Sequence, residues 1–313
     1  MVMRFQVLAF LVVAPLTAQV AFNVQSGTVE VDVNGQTFTV LYYQGINQNK
    51  PYFHPLRLPD GTNLTRSYPM EQVKGEKTDH PHHRGLWFTH GDVNGLDFWM
   101  NEYKDPRPNK GIIALAKPVR VQGGKKQGTL DAEYIWKDPK GEPLLEETRK
   151  VTFYTDPQNR VMDFDVTLKA IQKVKFGDTK EGTFAVRVAT EIAEEGGGKM
   201  VNASGATGEK EVWGKPSPWV DYVGEIKGKK VGIALMDHPS NPKHPTYWHC
   251  RAYGLCAANI FGEHDFFNDK KRDGSITLEP GKTMHFRYRV VAHPGDTESA
   301  GIARIYEDFK TKK

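Results

Sequence analysis

The chain has 313 residues, a formal net charge of +4, 38% hydrophobic residues and 26% charged residues. That length allows one large all-β domain or two modest ones with a real core, and the balance excludes a disordered chain. The basic residues form no run long enough for a nucleic-acid tract, so the small positive charge argues for solubility and against a nucleic-acid partner.

Arg4 precedes the apolar stretch FQVLAFLVVAPLTA, and polar sequence comes after it. A charged start and a short apolar run predict a secretory signal peptide over residues 1–19, cut after Ala18 or Gln19. The alternative, a buried first strand, lacks period-2 alternation. Residues 20–313 are then expected to form a single secreted or periplasmic domain. No later stretch reaches ~20 apolar residues, so no stable membrane insertion is expected after cleavage.

Strand signals fill most of the chain beyond residue 19. FNVQSGTVEVDVNGQTFTVLYY alternates in two runs about Asn34-Gly35, a hairpin signal. Pro59-Asp60-Gly61 marks another turn. A meander is expected over 112–121, 129–136, 144–154 and 160–170, with further strands near 183–190, 219–226, 230–236, 275–278 and 283–292. Short strands at this spacing predict a sandwich or barrel. Residues 194–210 read as a long surface loop or flap. In GDTESAGIARIYEDFKTKK, Asp296 or Thr297 is expected to cap a C-terminal helix with Ile302, Ile305, Tyr306 and Phe309 at helical spacing. The two cysteines, Cys250 and Cys256, allow a disulfide in an exported protein, but the segment around them also reads as extended chain that would keep them apart.

Three segments pack polar functional groups among Gly, Pro and Trp. The first, TDHPHHRGLWFTHGDVNG, holds His80, His82, His83, Arg84, Trp87 and His90, with Arg66 shortly before it. Imidazole titrates near neutral pH, and arginine beside tryptophan suits an anionic or hydroxyl-rich ligand. A divalent metal is an alternative. His80 and His82 would share a face of extended chain, with His90, Asp79 or Asp92 completing the ligand set. The fixed charge of Arg84 stands against it. The second segment, KFGDTKEGTFAVRVATE, offers Glu181 as a general base and Arg187 as a charge inside an apolar alternation, which needs a partner or a ligand if it faces inward. The third, MDHPSNPKHPTYWHCRAYGLCAANIFG, brings Asp237, His238, Trp248, His249, Arg251 and Asn259. All three are expected to converge on one cleft. No Gly-rich loop precedes a helix, and neither G-x-S-x-G nor H-E-x-x-H occurs, so no other cofactor is expected.

These segments closely resemble a family of exported bacterial proteins carried as a domain of unknown function and labelled "methane oxygenase PmoA-like". The label's literal sense does not fit, because such a subunit crosses the membrane several times and this chain has no apolar span after its leader. The resemblance implies a link to carbohydrates and a fold similar to the galactose-mutarotase β-supersandwich, here with one C-terminal helix. Enzymes of that fold pair a histidine acid with a carboxylate base across a sugar. Their catalytic residues do not align position by position with this chain. His83, His90, His249, Glu181 and Asp237 are therefore nominated by chemistry as catalytic. Arg66, His82, Arg84, Trp87, Arg187, His238, Trp248, Arg251 and Asn259 are nominated for binding a small carbohydrate. The expected reaction is epimerisation, elimination or hydrolysis. The alternatives are a non-catalytic glycan-binding protein using Trp87, Trp99 and Trp248 as platforms, and a metal-dependent enzyme at His80–His90.

Overall fold

The computed structural model describes residues 19–45, 49–102 and 107–312, and the predicted signal peptide, up to residue 18, lies outside the described residues. Three strands open the chain, β1 (Val20–Gln25), β2 (Thr28–Val33) and β3 (Gln36–Tyr42), followed by β4 (Tyr52–Phe53) and β5 (Leu86–His90). The meander is β6 (Ile112–Gln122), β7 (Gln127–Lys137), β8 (Pro143–Tyr154) and β9 (Arg160–Ala170). Next come β10 (Val174–Phe176), β11 (Gly182–Arg187), β12 (Lys199–Asn202), β13 (Trp219–Ile226) and β14 (Lys229–Asp237). The last strands are β15 (Tyr247–Cys250), β16 (Leu255–Asn259), β17 (Ile276–Leu278) and β18 (Thr283–Pro294). Short helices α1 (Glu209–Val212) and α2 (Glu263–Phe266) sit in connections, and α3 (Ile302–Lys310) ends the chain.

Two eight-stranded sheets result. The first runs β1-β2-β3-β4-β5-β11-β16-β15 and the second β12-β13-β14-β18-β9-β8-β7-β6. Their inner faces share one apolar core. Phe53 meets Phe164 at 5.6 Å, Phe164 meets Phe184 at 4.8 Å, and Phe184 stacks on Tyr288 at 4.5 Å, so rings of the two sheets interlock. Each ring so buried contributes about 2 kcal/mol of hydrophobic stabilisation. The expected all-β supersandwich with one C-terminal helix is therefore the architecture observed. Helix α3 buries Ile302, Tyr306 and Phe309 against Ala234, Met236 and Val291 on the outer face of the second sheet. The outer face of the first sheet is covered instead by the connections on either side of β5, and a second, smaller apolar cluster of Tyr52, Trp87, Trp99, Ala185, Leu255 and Ala257 forms there.

Four local expectations need correction. The N-terminal run folds as three strands, because Gly27 makes a second turn at φ +84°, where any side chain would strike the Gln44 carbonyl. The stretch 194–210 is no plain loop, since β12 pairs with β13 inside it. Helix α3 starts at Ile302, later than a cap at Asp296 or Thr297 implies. Asp296 accepts from the Ser299 amide instead, and Gly301 turns left-handed at φ +67°. Cys250 and Cys256 are both extended and disulfide-bonded, because β15 and β16 form a hairpin that sets them opposite each other.

Candidate functional site

Strand pairing lines up one row across the outer face of the first sheet. Tyr42, Tyr52, Trp87, Ala185, Ala257 and His249 are successive cross-strand partners. Aromatic rings stand at one end and an imidazole at the other. The two alanines keep the middle low, which is where connecting loops can bring side chains over the sheet.

The loop before β5 builds one wall. The His83 amide donates to the His80 carbonyl at 3.0 Å, closing a turn through Pro81 and His82 with His80 left-handed at φ +42°. His80 and His82 are thus not side by side on extended chain. The turn stacks its rings: His80 on His83 at 4.8 Å, His83 on Trp87 at 5.4 Å, and Tyr253 on His80 at 5.0 Å. Arg66 braces the turn from beneath, donating to the carbonyls of Lys77, Asp79, His80 and His83 and to the Asp79 carboxylate. From β11, Arg187 donates through Nη2 to Asp79 Oδ1 (2.9 Å) and through Nη1 to His83 Nδ1 (3.3 Å). A guanidinium has no acceptor, so His83 Nδ1 holds a lone pair and the ring proton sits on Nε2. Burial, and after it the neighbouring His82 and Arg187, hold His83 well below the usual imidazole range. Burial, with Lys50 next, pushes His82 down to about 2.

The opposite wall grows from β15 and the loop before β11. His249 Nδ1 lies 2.8 Å from the Lys180 carbonyl. A carbonyl only accepts, so Nδ1 carries the proton and Nε2 is the lone pair, the reverse of His83. Burial pushes His249 down to about 3. Trp213 stands edge-on to it at 4.8 Å, under the Arg251 guanidinium at 5.0 Å. Next to Lys180, Glu181 is gripped by its backbone: its amide donates to Thr179 Oγ1 (3.2 Å) and its carbonyl accepts from the Gly91 amide (2.7 Å). Burial raises the Glu181 carboxyl above its ordinary range, against the opposing pull of Lys180, whose Nζ is 3.4 Å away. Tyr253, whose ring lies under Arg187 at 4.5 Å, is pushed up to about 12 by burial. Neutral imidazoles of opposite tautomer therefore stand here with a carboxyl that burial raises above its ordinary range.

Seven of the nominated residues gather here: His82, His83, Trp87, Glu181, Arg187, His249 and Arg251. Arg66 lies beneath them as a brace. Arg84 is at the far end of the row, ion-paired with Glu102 over the Tyr52 ring. Asn259 serves the loop, its Nδ2 donating to the Thr179 carbonyl at 2.9 Å.

Four nominated residues lie elsewhere. His90 alternates to the inner face with Phe88; its Nε2 donates to the Gly177 carbonyl at 2.8 Å and its ring packs on Phe261 at 4.5 Å. It is therefore neither catalytic nor a metal ligand with His80 and His82, and among the described residues no group of three His, Cys, Asp or Glu converges on a metal position. Asp237 ends a strand of the second sheet, and its carboxylate is saturated by Asn241 Nδ2, His244 Nδ1 and the Thr246 amide. His238 packs beside α3 on Phe309 at 5.0 Å. Trp248 points into the inter-sheet core with Nε1 donating to the Ser217 carbonyl at 2.7 Å. Nor are Trp87, Trp99 and Trp248 open platforms for a glycan, since each is at most 1% exposed. Sequence reasoning missed Lys50 and Trp213. Lys50 carried one signal, its place next to a proline and directly before the buried run of Tyr52 and Phe53. A recess of about 540 Å³ between Ser26, Tyr43 and the start of β6 lies away from this chemistry.

No curated protein matches the sequence. Several solved structures overlay on the chain. A GH36 α-galactosidase from Geobacillus stearothermophilus does so with TM-score 0.43 and 13% identity over 88% of this chain and 41% of that one. An α-galactosidase from Lactobacillus brevis gives 0.40 and 10% over 87% and 39%. Galactose 1-epimerase from Lactobacillus acidophilus gives 0.39 and 9% over 88% and 100%. The chain spans about two fifths of the length of the α-galactosidases it matches. A family model described as a family of unknown function, DUF6807, matches residues 28–307, and the chain belongs to that family.

Proposed function

We propose that the protein is an exported carbohydrate-active enzyme that moves protons on a sugar bound over the outer face of the first sheet. The observation that carries this is the hydrogen-bonding pattern: His83 offers an Nε2–H donor, His249 an Nε2 acceptor, and Glu181 a carboxyl that burial raises above its ordinary range. A sugar presents alternating donors and acceptors, which neutral imidazoles of opposite tautomer match without a charge penalty. The motif resemblance to the PmoA-like family supports a carbohydrate ligand. The leader pattern and the Cys250–Cys256 bridge support an oxidising compartment outside the cytoplasm.

The roles are exchanged relative to a histidine acid and a carboxylate base. Both imidazoles are held well below their ordinary range, so we assign the proton-donating role to Glu181, which burial raises, and the hydroxyl proton to His249 Nε2. A carboxyl paired with imidazole favours epimerisation or elimination over glycoside hydrolysis, which calls for two carboxylates.

Incubating the protein with a panel of mono- and disaccharides in D2O tests this. Proton NMR should reveal anomeric interconversion or deuterium entering one sugar carbon. Glu181→Gln should lower turnover by about 10²–10⁴-fold with little change in KM. Because the protonated carboxyl is the active form, wild-type turnover should fall as pH rises through the raised Glu181 pKa, and this limb should vanish in the variant. Wild-type turnover in Glu181→Gln, or no exchange with any sugar, overturns the reading.

A further inference from the structure

Among the buried cations at this site, one carboxylate is shared by two and a third has none. Arg66 and Arg187, each with a side chain about 1% exposed, share the single carboxylate of Asp79. Lys50 is 2% exposed, lies 6.0 Å from the Trp87 ring centroid, and directs its Nζ to the Trp99 carbonyl. It has no ion-pair partner among the described residues. Nearby, Arg84 pairs with Glu102, Arg107 with Asp97, Lys180 with Glu181 and Arg251 with Glu209, and the Glu76 carboxylate accepts from the Ser67 and Tyr68 amides beside Arg66. Among the described residues, Lys50 on the Trp87 side of the stacked rings has no ion pair, and Arg187 on the His83 side has only a share of Asp79.

Two buried N–H donors beside Lys50 also lack an acceptor. Trp87 Nε1 and Trp99 Nε1 are buried with no hydrogen-bond partner. Buried polar groups are normally satisfied, and a buried charge is normally paired. Here both indoles lie next to Lys50, which is 6.0 Å from the Trp87 ring centroid and donates to the Trp99 carbonyl. The low basicity of Lys50, about 8, and of Arg187, about 10, comes first from burial.

We infer that the sugar held in this cleft carries an oxyanion — a carboxylate, sulfate or phosphate — that sits between Lys50 and Arg187 against the two indole N–H groups. The inference rests on the carbohydrate reading of the site and narrows it to acidic sugars. An oxyanion supplies only acceptors, so it satisfies the indoles and both cations together. A neutral sugar leaves Lys50 buried and without a counter-charge.

Isothermal titration of the full protein separates these cases. The ligands are D-glucose, D-galactose, their uronates, 6-sulfates and 6-phosphates, and inorganic sulfate. At least one acidic sugar should bind about 10-fold or more tighter than its neutral parent, and the tightest series identifies the oxyanion. Lys50→Met should reduce that preference to within about 3-fold. The ligand-free variant should also melt above wild type, since a lone buried cation is replaced by an apolar chain of similar shape. Neutral sugars binding as tightly as all their acidic forms would overturn the inference and leave the sugar reading intact. Sulfate binding as tightly as the acidic sugars would keep the oxyanion site and overturn the sugar reading. A Lys50→Met variant that melts lower and keeps the full preference would make the lysine structural and also overturn the inference.

Discussion

Arg66 sits under the histidine turn with both Nη atoms directed at backbone oxygens. Four carbonyls, those of Lys77, Asp79, His80 and His83, converge on one guanidinium. A planar fork of donors fixes such a turn where a point charge does not. Arg66→Ala should cost about 3–5 kcal/mol, because it leaves buried acceptors unmade as well as a void. Arg66→Lys should recover less than half of that. Urea titration reads both, as a lower midpoint with an unchanged slope. A loss under about 1 kcal/mol in Arg66→Ala would mean that the turn holds itself. The role differs from the one its sequence neighbourhood suggests: an arginine beside histidines reads as a ligand contact, and only the loop's path reveals it as a brace.

At the scale of elements, the β15–β16 hairpin carries His249 on one strand and Arg251 and Tyr253 in its turn, and the Cys250–Cys256 bridge ties the two strands just beyond. Replacing both cysteines by serine should cost about 2 kcal/mol, the loop-closure effect expected for so short a ring, and should weaken sugar binding by loosening the turn that stacks on His80. Differential melting of the oxidised and double-serine proteins measures the first part. Equal melting temperatures would show that strand pairing alone fixes the hairpin. The same elements explain what the sequence could and could not reveal. Strands β7 and β9 of the second sheet bury alternate residues, so their period of two is plain and their bounds are predicted nearly to the residue. Strands β5, β11 and β16 are buried on both faces at every position. Such strands have no polar side to mark their facing. Composition alone therefore nominates His90 and Trp248 alongside Trp87 and His249, although a shift of one residue turns a side chain to the other face of the sheet. The chemistry of the cleft is legible as composition, and its geometry is not.

Over the whole molecule, the unusual property is how many histidines are buried and neutral. Burial pushes His54 and His90 down to about 4, His249 to about 3 and His82 to about 2, and His83 also well below its ordinary range. A folded pKa below the unfolded value of ~6.5 means that the unfolded chain binds more protons as pH falls. This stability is fully present above ~6.5 and is lost progressively below it, toward each folded pKa. At pH 5 a ring held at about 4 or below costs about 2 kcal/mol, and with four such rings and His83 acting in the same sense the loss is a large share of the stability of a typical domain. His293 works in the opposite sense. Its partner Asp221, 3.1 Å away, outweighs burial and raises it, so its contribution is present at low pH and is lost as pH rises through that raised value. One residue cannot offset five. Far-UV circular dichroism should therefore show cooperative unfolding between about pH 6 and pH 4, above the range where paired carboxylates titrate. Urea unfolding should steepen with pH over that window by up to about 1.4 kcal/mol per pH unit for each histidine. Replacing His90 by glutamine, on the inner face and away from the cleft, should move the transition to lower pH by removing one proton from the set. A protein still native at pH 3 would mean that these rings are hydrated or paired when protonated, and the picture of a dry, positively charged cleft would fall with it.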